Sequence, residues 1–346
     1  MKYFITGISG FIGSNLARKL LREGHQINAL VRDMENINLF KHPGLKFIKG
    51  SLKDRKTITS AMKGCNTAFH LAAFAKPWAK DPNEYIRVNI DGSKNVFEAA
   101  KIAGVKKVVF TSSAATMSPS ISYSSSDEMT PRNIPLFNEY EITKKEAELI
   151  ACEYSRNSIP IVIVNPSRVF GPGPLNASNS VTKMILQYCL GKWRIIPGNG
   201  ERIGNYVFVD DVVSGHLLAA NYGNPGERYI LGGENLSFND FFFLLRNITG
   251  QARKMIKLPL QFMSGIAWIL EKQYFVTGIP PVITPPWIKK YLCDWSLSSR
   301  KAMSDLGYQI TPVRDGIIKT LEWLFASGLL HEKMIINKAS HPELSM

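Results

Sequence analysis

Residues 1–13 read MKYFITGISGFIG, and this stretch decides the fold. The apolar run Tyr3-Phe4-Ile5 reads as a strand beginning at residue 2, and Gly7, Gly10 and Gly13 follow it. Beyond the turn, Phe11, Ile12, Leu16 and Leu20 recur at helical spacing on the way to Glu23. A strand, a glycine-rich turn and a helix, in that order, make the context in which glycines signal a dinucleotide site. Gly7 allows the tight turn, Gly10 lets a pyrophosphate approach the backbone, and Gly13 lets helix and strand pack. The phosphates then meet free N–H groups at a helix N-terminus, with Phe11 and Ile12 in the same turn.

Working outward, apolar runs predict further strands at 26–31, 45–49, 66–71, 106–111 and 159–164. Helical spacing fills 91–103, which Gly104 ends, and 140–156. Strands alternating with helices of this length imply parallel pairing, right-handed crossovers and helices on both faces. The strands are continuous apolar runs, as expected when both faces of a sheet are covered. The expected class is therefore α/β, a doubly wound parallel sheet of Rossmann type. After Pro166 the regularity falls away, and Gly and Pro thicken at 171–174, 197–200 and 280–286. The division expected is a dinucleotide-binding domain at 1–170 and a smaller, irregular, mainly substrate-binding region at 171–346. Segments near 205–232 are expected to return to the first domain.

Composition narrows the class. The 346 residues are 45% hydrophobic and 20% charged, ordinary for a globular protein. The formal charge of +14 is high, yet the basic residues come as scattered pairs such as Lys106-Lys107 and Lys144-Lys145. Solvated lysines explain that pattern better than a nucleic-acid interface does. Cys65, Cys152, Cys189 and Cys293 lie far apart, fit no metal spacing and suit a reducing compartment. With no charged-then-apolar leader before the first strand, the expectation is a cytoplasmic protein that binds no metal. The apolar stretch at 258–275 is too short to span a bilayer, which takes ~20 residues. A core or pocket helix is the preferred reading of it, and an interfacial helix on an anionic surface the lesser one.

Tyr140-Glu141-Ile142-Thr143-Lys144 places a phenol and an ammonium four residues apart on one helix face. A free tyrosine, with a pKa of about 10, is a poor base at neutral pH. A neighbouring lysine cation is expected to lower it toward acid–base use, and to hold a nicotinamide ribose as well. Ser113 closes the fifth predicted strand, at the carboxyl edge where open α/β sheets bind ligands. Its hydroxyl is placed to hydrogen-bond a substrate oxygen. Strand alternation leaves open whether Ser112 or Ser113 points inward.

These residues together resemble an extended short-chain dehydrogenase/reductase of the NAD-dependent epimerase/dehydratase family, and the resemblance covers nearly the whole chain. Beside the Gly-x-x-Gly-x-x-Gly turn it includes Phe69-His70-Leu71-Ala72-Ala73, Asn89-Ile90-Asp91-Gly92 and Asn165-Pro166-Ser167-Arg168-Val169-Phe170-Gly171-Pro172-Gly173. Val209-Asp210-Asp211-Val212 and the run from Gly226 to Asn235 follow. The last run and Asn165-Pro166-Ser167 are most similar to the dihydroflavonol-4-reductase-like branch. The resemblance implies cofactor contacts from Ser51, Leu52, Leu71, Ala72, Ala73, Asn89, Pro166 and Val169, and a homodimer formed by helix pairing. It also marks departures. Many nucleotide-sugar members carry an Arg-Asp pair, the Arg gripping the substrate pyrophosphate, where this chain has Gly204 and Asn205. Arg202 is near enough in sequence to substitute. Ser51 stands where the family usually has Asp, and Thr143 where Ser is common.

The expected activity is an NADP-dependent oxidoreductase interconverting a secondary alcohol and a ketone on a hydrophobic, dihydroflavonol-, sterol- or lipid-like substrate. A nucleotide-sugar epimerase or dehydratase using NAD is the alternative, and a non-catalytic cofactor-binding scaffold the reading from a different class. NADP is expected over NAD because Arg32 follows the second strand where an NAD enzyme normally has Asp or Glu, although Asp33 is next to it. Lys76-Pro77-Trp78 and residues 262–270 are expected to line an apolar substrate cleft.

Overall fold

The computed structural model describes residues 1–33, 41–120 and 124–331. Strands β1 (Lys2–Thr6), β2 (Gln26–Val31), β3 (Leu45–Lys49), β4 (Thr67–His70), β5 (Lys107–Thr111) and β6 (Ile161–Pro166) lie in one sheet. Short strands β7 (Arg168–Phe170), β8 (Ile195–Pro197) and β9 (Ile203–Phe208) leave it, and β10 (Arg228–Leu231) returns beside β6. The sheet order is β10-β6-β5-β4-β1-β2-β3, parallel throughout. The predicted strands agree with these to within two residues at each end. Within the stretch 205–232 only β10 joins the main sheet. Strand β9 instead pairs with β7 and, antiparallel, with β11 (Glu234–Ser237), while β12 (Ile256–Leu258) pairs with β8.

Side-chain alternation decides what each face packs against. Phe4, Val108, Phe110, Ile161 and Ile163 point to one face and are buried with residues of α2 (Arg55–Met62), α4 (Gly92–Ala103) and α5 (Glu139–Asn157). A short helix α3 (Asn83–Tyr85) and a π-helical turn at Ile86–Asp91 lead into α4. Tyr3, Ile5, Val109, Val162 and Val164 point the other way, into a cluster with Leu16 and Leu20 of α1 (Phe11–Arg22). That cluster continues through α6 (Ser180–Cys189), α7 (Val209–Tyr222) and α8 (Phe238–Thr249). Each fully buried Val, Ile or Phe contributes about 1.5–3 kcal/mol relative to an exposed one. Central strands buried on both faces are therefore the rigid part of the molecule.

The chain crosses from β3 at one edge to β4 on the far side of β1, so the strand order reverses between β1 and β4. Ligands bind outside the carboxyl ends of the strands at such a switch point. Helices α9 (Leu260–Thr277), α10 (Pro285–Lys289), α11 (Arg300–Leu306) and α12 (Val313–Ala326) complete the described chain. Helix α9 departs from the sequence expectation of a core or pocket helix: only its Ala267 is buried. No helix among the described residues is long and apolar enough to cross a membrane.

Candidate functional site

The turn after β1 has no spare volume. Gly7 takes φ 76°, and a Cβ there would stand 2.6 Å from the Ala72 backbone nitrogen. A Cβ on Gly13 would overlap the Gly7 carbonyl oxygen, so α1 sits directly on the turn. Gly10 is the extended N-cap of α1, and no side chain caps that end. The first-turn N–H groups thus remain available to an anion. Thr6, Gly7, Ser9, Gly10 and Ile12 line a cleft of about 860 Å³. A cradle of this shape and polarity fits the pyrophosphate of a dinucleotide. Phe11 and Gly13 lie outside the lining: the Phe11 ring belongs to the core, and Gly13 serves the contact between helix and turn.

Arg32, Ser51 and Leu52 line the cleft at the carboxyl ends of β2 and β3; Leu71, Ala72, Ala73, Pro166 and Val169 line it as well. Asn89 does not. It is buried, accepts from the Phe74 N–H at 2.7 Å and donates to the Phe74 carbonyl at 3.2 Å and to Thr143 Oγ1 at 3.0 Å. Its place is behind the wall, fastening the loop after β4 to α5.

Helix α5 starts at a cap in which Asn138 accepts from the Glu141 N–H at 3.0 Å. In its first and second turns Tyr140 and Lys144 both line the cleft, as does Ser113. Lys144 Nζ donates to the Thr111 carbonyl at 2.8 Å and lies 4.3 Å from the Phe110 ring centroid. Burial pulls the Lys144 pKa down to about 7, with the Glu148 carboxylate opposing. The Tyr140 pKa is raised, chiefly by burial, while hydrogen bonding to the Ser113 side chain opposes the rise. This corrects the expectation of a phenol made acidic by its lysine. The Lys144 cation is itself disfavoured by burial and is directed at the Thr111 carbonyl.

Strand β5 ends at Thr111, so Ser113 is not its last residue. It caps the 3-10 turn Ala114–Thr116, accepting from the Ala115 N–H at 3.2 Å. Ser112 borders the cleft too, but its hydroxyl is engaged by Glu148, to whose Oε1 it donates at 2.6 Å. The same oxygen accepts from Thr116 at 2.7 Å and from Asn165 Nδ2 at 2.6 Å. Glu148 was not anticipated, although it sits one turn after Lys144 on the same helix face. His70, also unassigned, is buried between Thr6 Oγ1 at 2.7 Å and Ser93 Oγ at 3.0 Å. Burial, reinforced by the Lys144 charge, lowers its pKa to about 3 and keeps it neutral.

The other end of the cleft is aromatic: Tyr206, Phe238, Trp287, Tyr291 and Trp295 line it, with Arg168 and Lys290 among them. None of these was singled out for that role. The residues that were, Lys76-Pro77-Trp78 and 262–270, do not line the cleft. Trp78 instead packs on Tyr274 of α9, ring centroids 4.2 Å apart, and the lining from that loop runs from Leu71 to Ala75 and stops short of Lys76. Nor does Arg202 substitute for an arginine at 204, because it pairs with Asp294 at 2.8 Å outside the cleft.

Residues 3–232 match the model of the NAD dependent epimerase/dehydratase family. The chain is 31% identical over 331 residues to a Synechocystis protein named as a dihydroflavonol 4-reductase, covering 94% of this chain and 95% of that one. It is 30% identical to the human sterol-4-alpha-carboxylate 3-dehydrogenase, decarboxylating, covering 92% of this chain and 87% of the relative. Among solved structures, that of gox2253 superposes with a TM-score of 0.79 at 32% identity, covering 95% of this chain and 99% of the other. The UDP-glucose 4-epimerase of Thermotoga maritima gives 0.77 at 25% identity, covering 95% and 100%. With its glycine cradle, parallel sheet and Ser/Tyr/Lys cleft, the chain belongs to the NAD-dependent epimerase/dehydratase family within the extended short-chain dehydrogenases/reductases.

Proposed function

We propose that this protein is an NADP-dependent oxidoreductase that interconverts a secondary alcohol and a ketone on a hydrophobic substrate. One observation carries the reading: Ser113, Tyr140 and Lys144 line one cleft whose other end is an aromatic wall. A tyrosine phenol is protonated at neutral pH and can give that proton to a carbonyl oxygen, which suits reduction of a ketone. Tyr140 gives its proton to the substrate oxygen and recovers it in the reverse direction, while the Ser113 hydroxyl hydrogen-bonds the same oxygen. Lys144 holds the nicotinamide ribose. When bound, the nicotinamide supplies or accepts the hydride at the carbinol carbon.

The cofactor preference follows from Arg32, which is exposed and lines the cleft whereas its neighbour Asp33 does not. A guanidinium there pairs with a 2′-phosphate through two parallel hydrogen bonds and stacks on adenine. The names of the relatives, a dihydroflavonol reductase and a sterol dehydrogenase, point to apolar ring substrates. The likeness to a UDP-glucose epimerase keeps a second reading, transient oxidation of a sugar. Incubating purified protein with NADPH and a panel of hydrophobic ketones and nucleotide sugars decides between them. Net NADPH oxidation by ketones is expected. Copurified NAD with sugar interconversion and no net turnover would replace the proposal.

A further inference from the structure

We infer that Arg168 is a carboxylate-binding site, so that the hydrophobic alcohol or ketone carries an acid group; the inference rests on the oxidoreductase reading of the cleft. Strand β7 sets Arg168 opposite Tyr206 of β9. Its guanidinium carbon lies 5.4 Å from the Tyr206 ring centroid and 5.3 Å from that of Phe238, and Nη1 donates to the Tyr206 hydroxyl at 3.2 Å. Gly204 makes the room, since a Cβ there would overlap Nη1. Among the described residues no carboxylate pairs with Arg168. The cleft's other cation at this end, Lys290, is paired with Glu141 at 2.8 Å, and Arg132 meets the same carboxylate at 3.3 Å.

A guanidinium presents its N–H donors in a fixed planar fork. Two rings hold it within contact distance, and its fork matches a carboxylate through two parallel bonds. The surrounding rings accept apolar surface, so the ligand combines a hydrophobic body with one carboxylate.

Quenching of the cleft tryptophans Trp193, Trp287 and Trp295 reads binding without turnover, so it stands apart from any failure to oxidise NADPH. The probes are cholate below its micellar concentration, its methyl ester, and UDP. Cholate is expected to bind wild type at least about tenfold tighter than the ester, the weight of a charge-assisted contact. Arg168→Met removes that difference and leaves the ester unchanged, while Arg168→Lys keeps part of it. Equal affinities in wild type, a difference that survives Arg168→Met, or no binding of either steroid overturns the proposal. So does UDP binding tighter than cholate and lost in Arg168→Met, which assigns the site to a diphosphate. If Arg168→Met does not fold by circular dichroism, the wild-type comparison and Arg168→Lys decide.

A separate observation supports a second inference: helix α9 and the turn after it dock on an anionic lipid surface. Phe262, Trp268, Ile269, Phe275, Ile279 and Val282 are each more than half exposed, from 56% to 88% counting Val276 between them. Between residues 251 and 289, Arg253, Lys254, Lys257, Lys272 and Lys289 stand against Glu271 alone. Apolar side chains within a basic segment complement an anionic interface. Helix α10, packed on α9, carries Trp287 of the cleft, so an apolar substrate has a short path from lipid.

Cosedimentation of the full chain with phosphatidylglycerol/phosphatidylcholine vesicles is expected, with at least about tenfold less on phosphatidylcholine alone and a similar loss in the double variant Trp268→Glu/Ile269→Glu. No binding to anionic vesicles, or equal binding by the variant, overturns it. So does a wild-type dimer that the variant reduces to monomer in sedimentation velocity, which assigns the face to a second copy.

Discussion

Replacing Lys144 with Met tests a strongly perturbed group in the cleft. Its ammonium is buried against Phe110 and Thr111, and its pKa falls from 10.5 to about 7. A lysine whose folded pKa is depressed is protonated more readily in the unfolded chain. Between about pH 7 and the ordinary lysine value, the unfolded state therefore binds the extra proton, and stability rises with pH. The slope approaches about 1.4 kcal/mol per pH unit for one group, so the window from pH 7 to 9 is worth roughly 2–3 kcal/mol. Methionine fills similar volume and carries no titration. The assay is urea unfolding of both proteins, without cofactor, at pH 6, 7, 8 and 9. The stability difference in favour of Lys144→Met should be largest at pH 6 and shrink by about 2–3 kcal/mol between pH 7 and 9. A difference that stays flat across the series, or grows with pH, would refute the argument that burial makes the cation costly here.

Two further outcomes concern chemistry and cofactor. Tyr140→Phe should leave the urea midpoint and cofactor affinity near wild type while turnover with NADPH drops by at least about 10²–10⁴-fold; retention of most of the rate removes Tyr140 from the mechanism. Wild type should bind NADP at least about tenfold tighter than NAD, or ~1.4 kcal/mol, and Arg32→Ala should erase most of that by weakening NADP. Dissociation constants from isothermal titration check it, and a variant that still prefers NADP leaves Arg32 without this role.

The parts of the molecule that could be read from sequence are those whose signal is local and periodic. Gly13 announces itself because a methyl there meets the Gly7 backbone within the same short motif, and Gly7 because the turn needs its left-handed φ, although the backbone a methyl there would meet belongs to Leu71 and Ala72. The strands are legible for a similar reason: burial on both faces turns them into continuous apolar runs, as in Ile161 to Val164. Tyr140 and Lys144 stand at helical spacing, so their shared face follows from geometry alone. The direction of their pKa shifts does not. It depends on how completely β5 and α5 close over them, and on Glu148 reaching Ser112 and Asn165 from separate elements.

The aromatic end of the cleft was illegible because nothing local marks it. Arg168 comes from β7, Tyr206 from β9, Phe238 from the start of α8 and Trp295 from a loop, and only the tertiary fold gathers them. The same absence of local constraint misled the reading of α9. An apolar stretch states that side chains avoid water but not what covers them, and a protein core, a pocket and a lipid surface leave the same imprint. Position in the fold separates these cases. Trp268 and Ile269 are exposed on a helix whose Ala267 alone is buried, whereas the apolar side chains beside Arg168 are locked into the cleft by ring-on-ring contacts such as Tyr206 on Phe241 at 4.6 Å. The aromatic end of the cleft is therefore built from segments with weak sequence periodicity, while Tyr140 and Lys144 sit on one strongly patterned helix, α5.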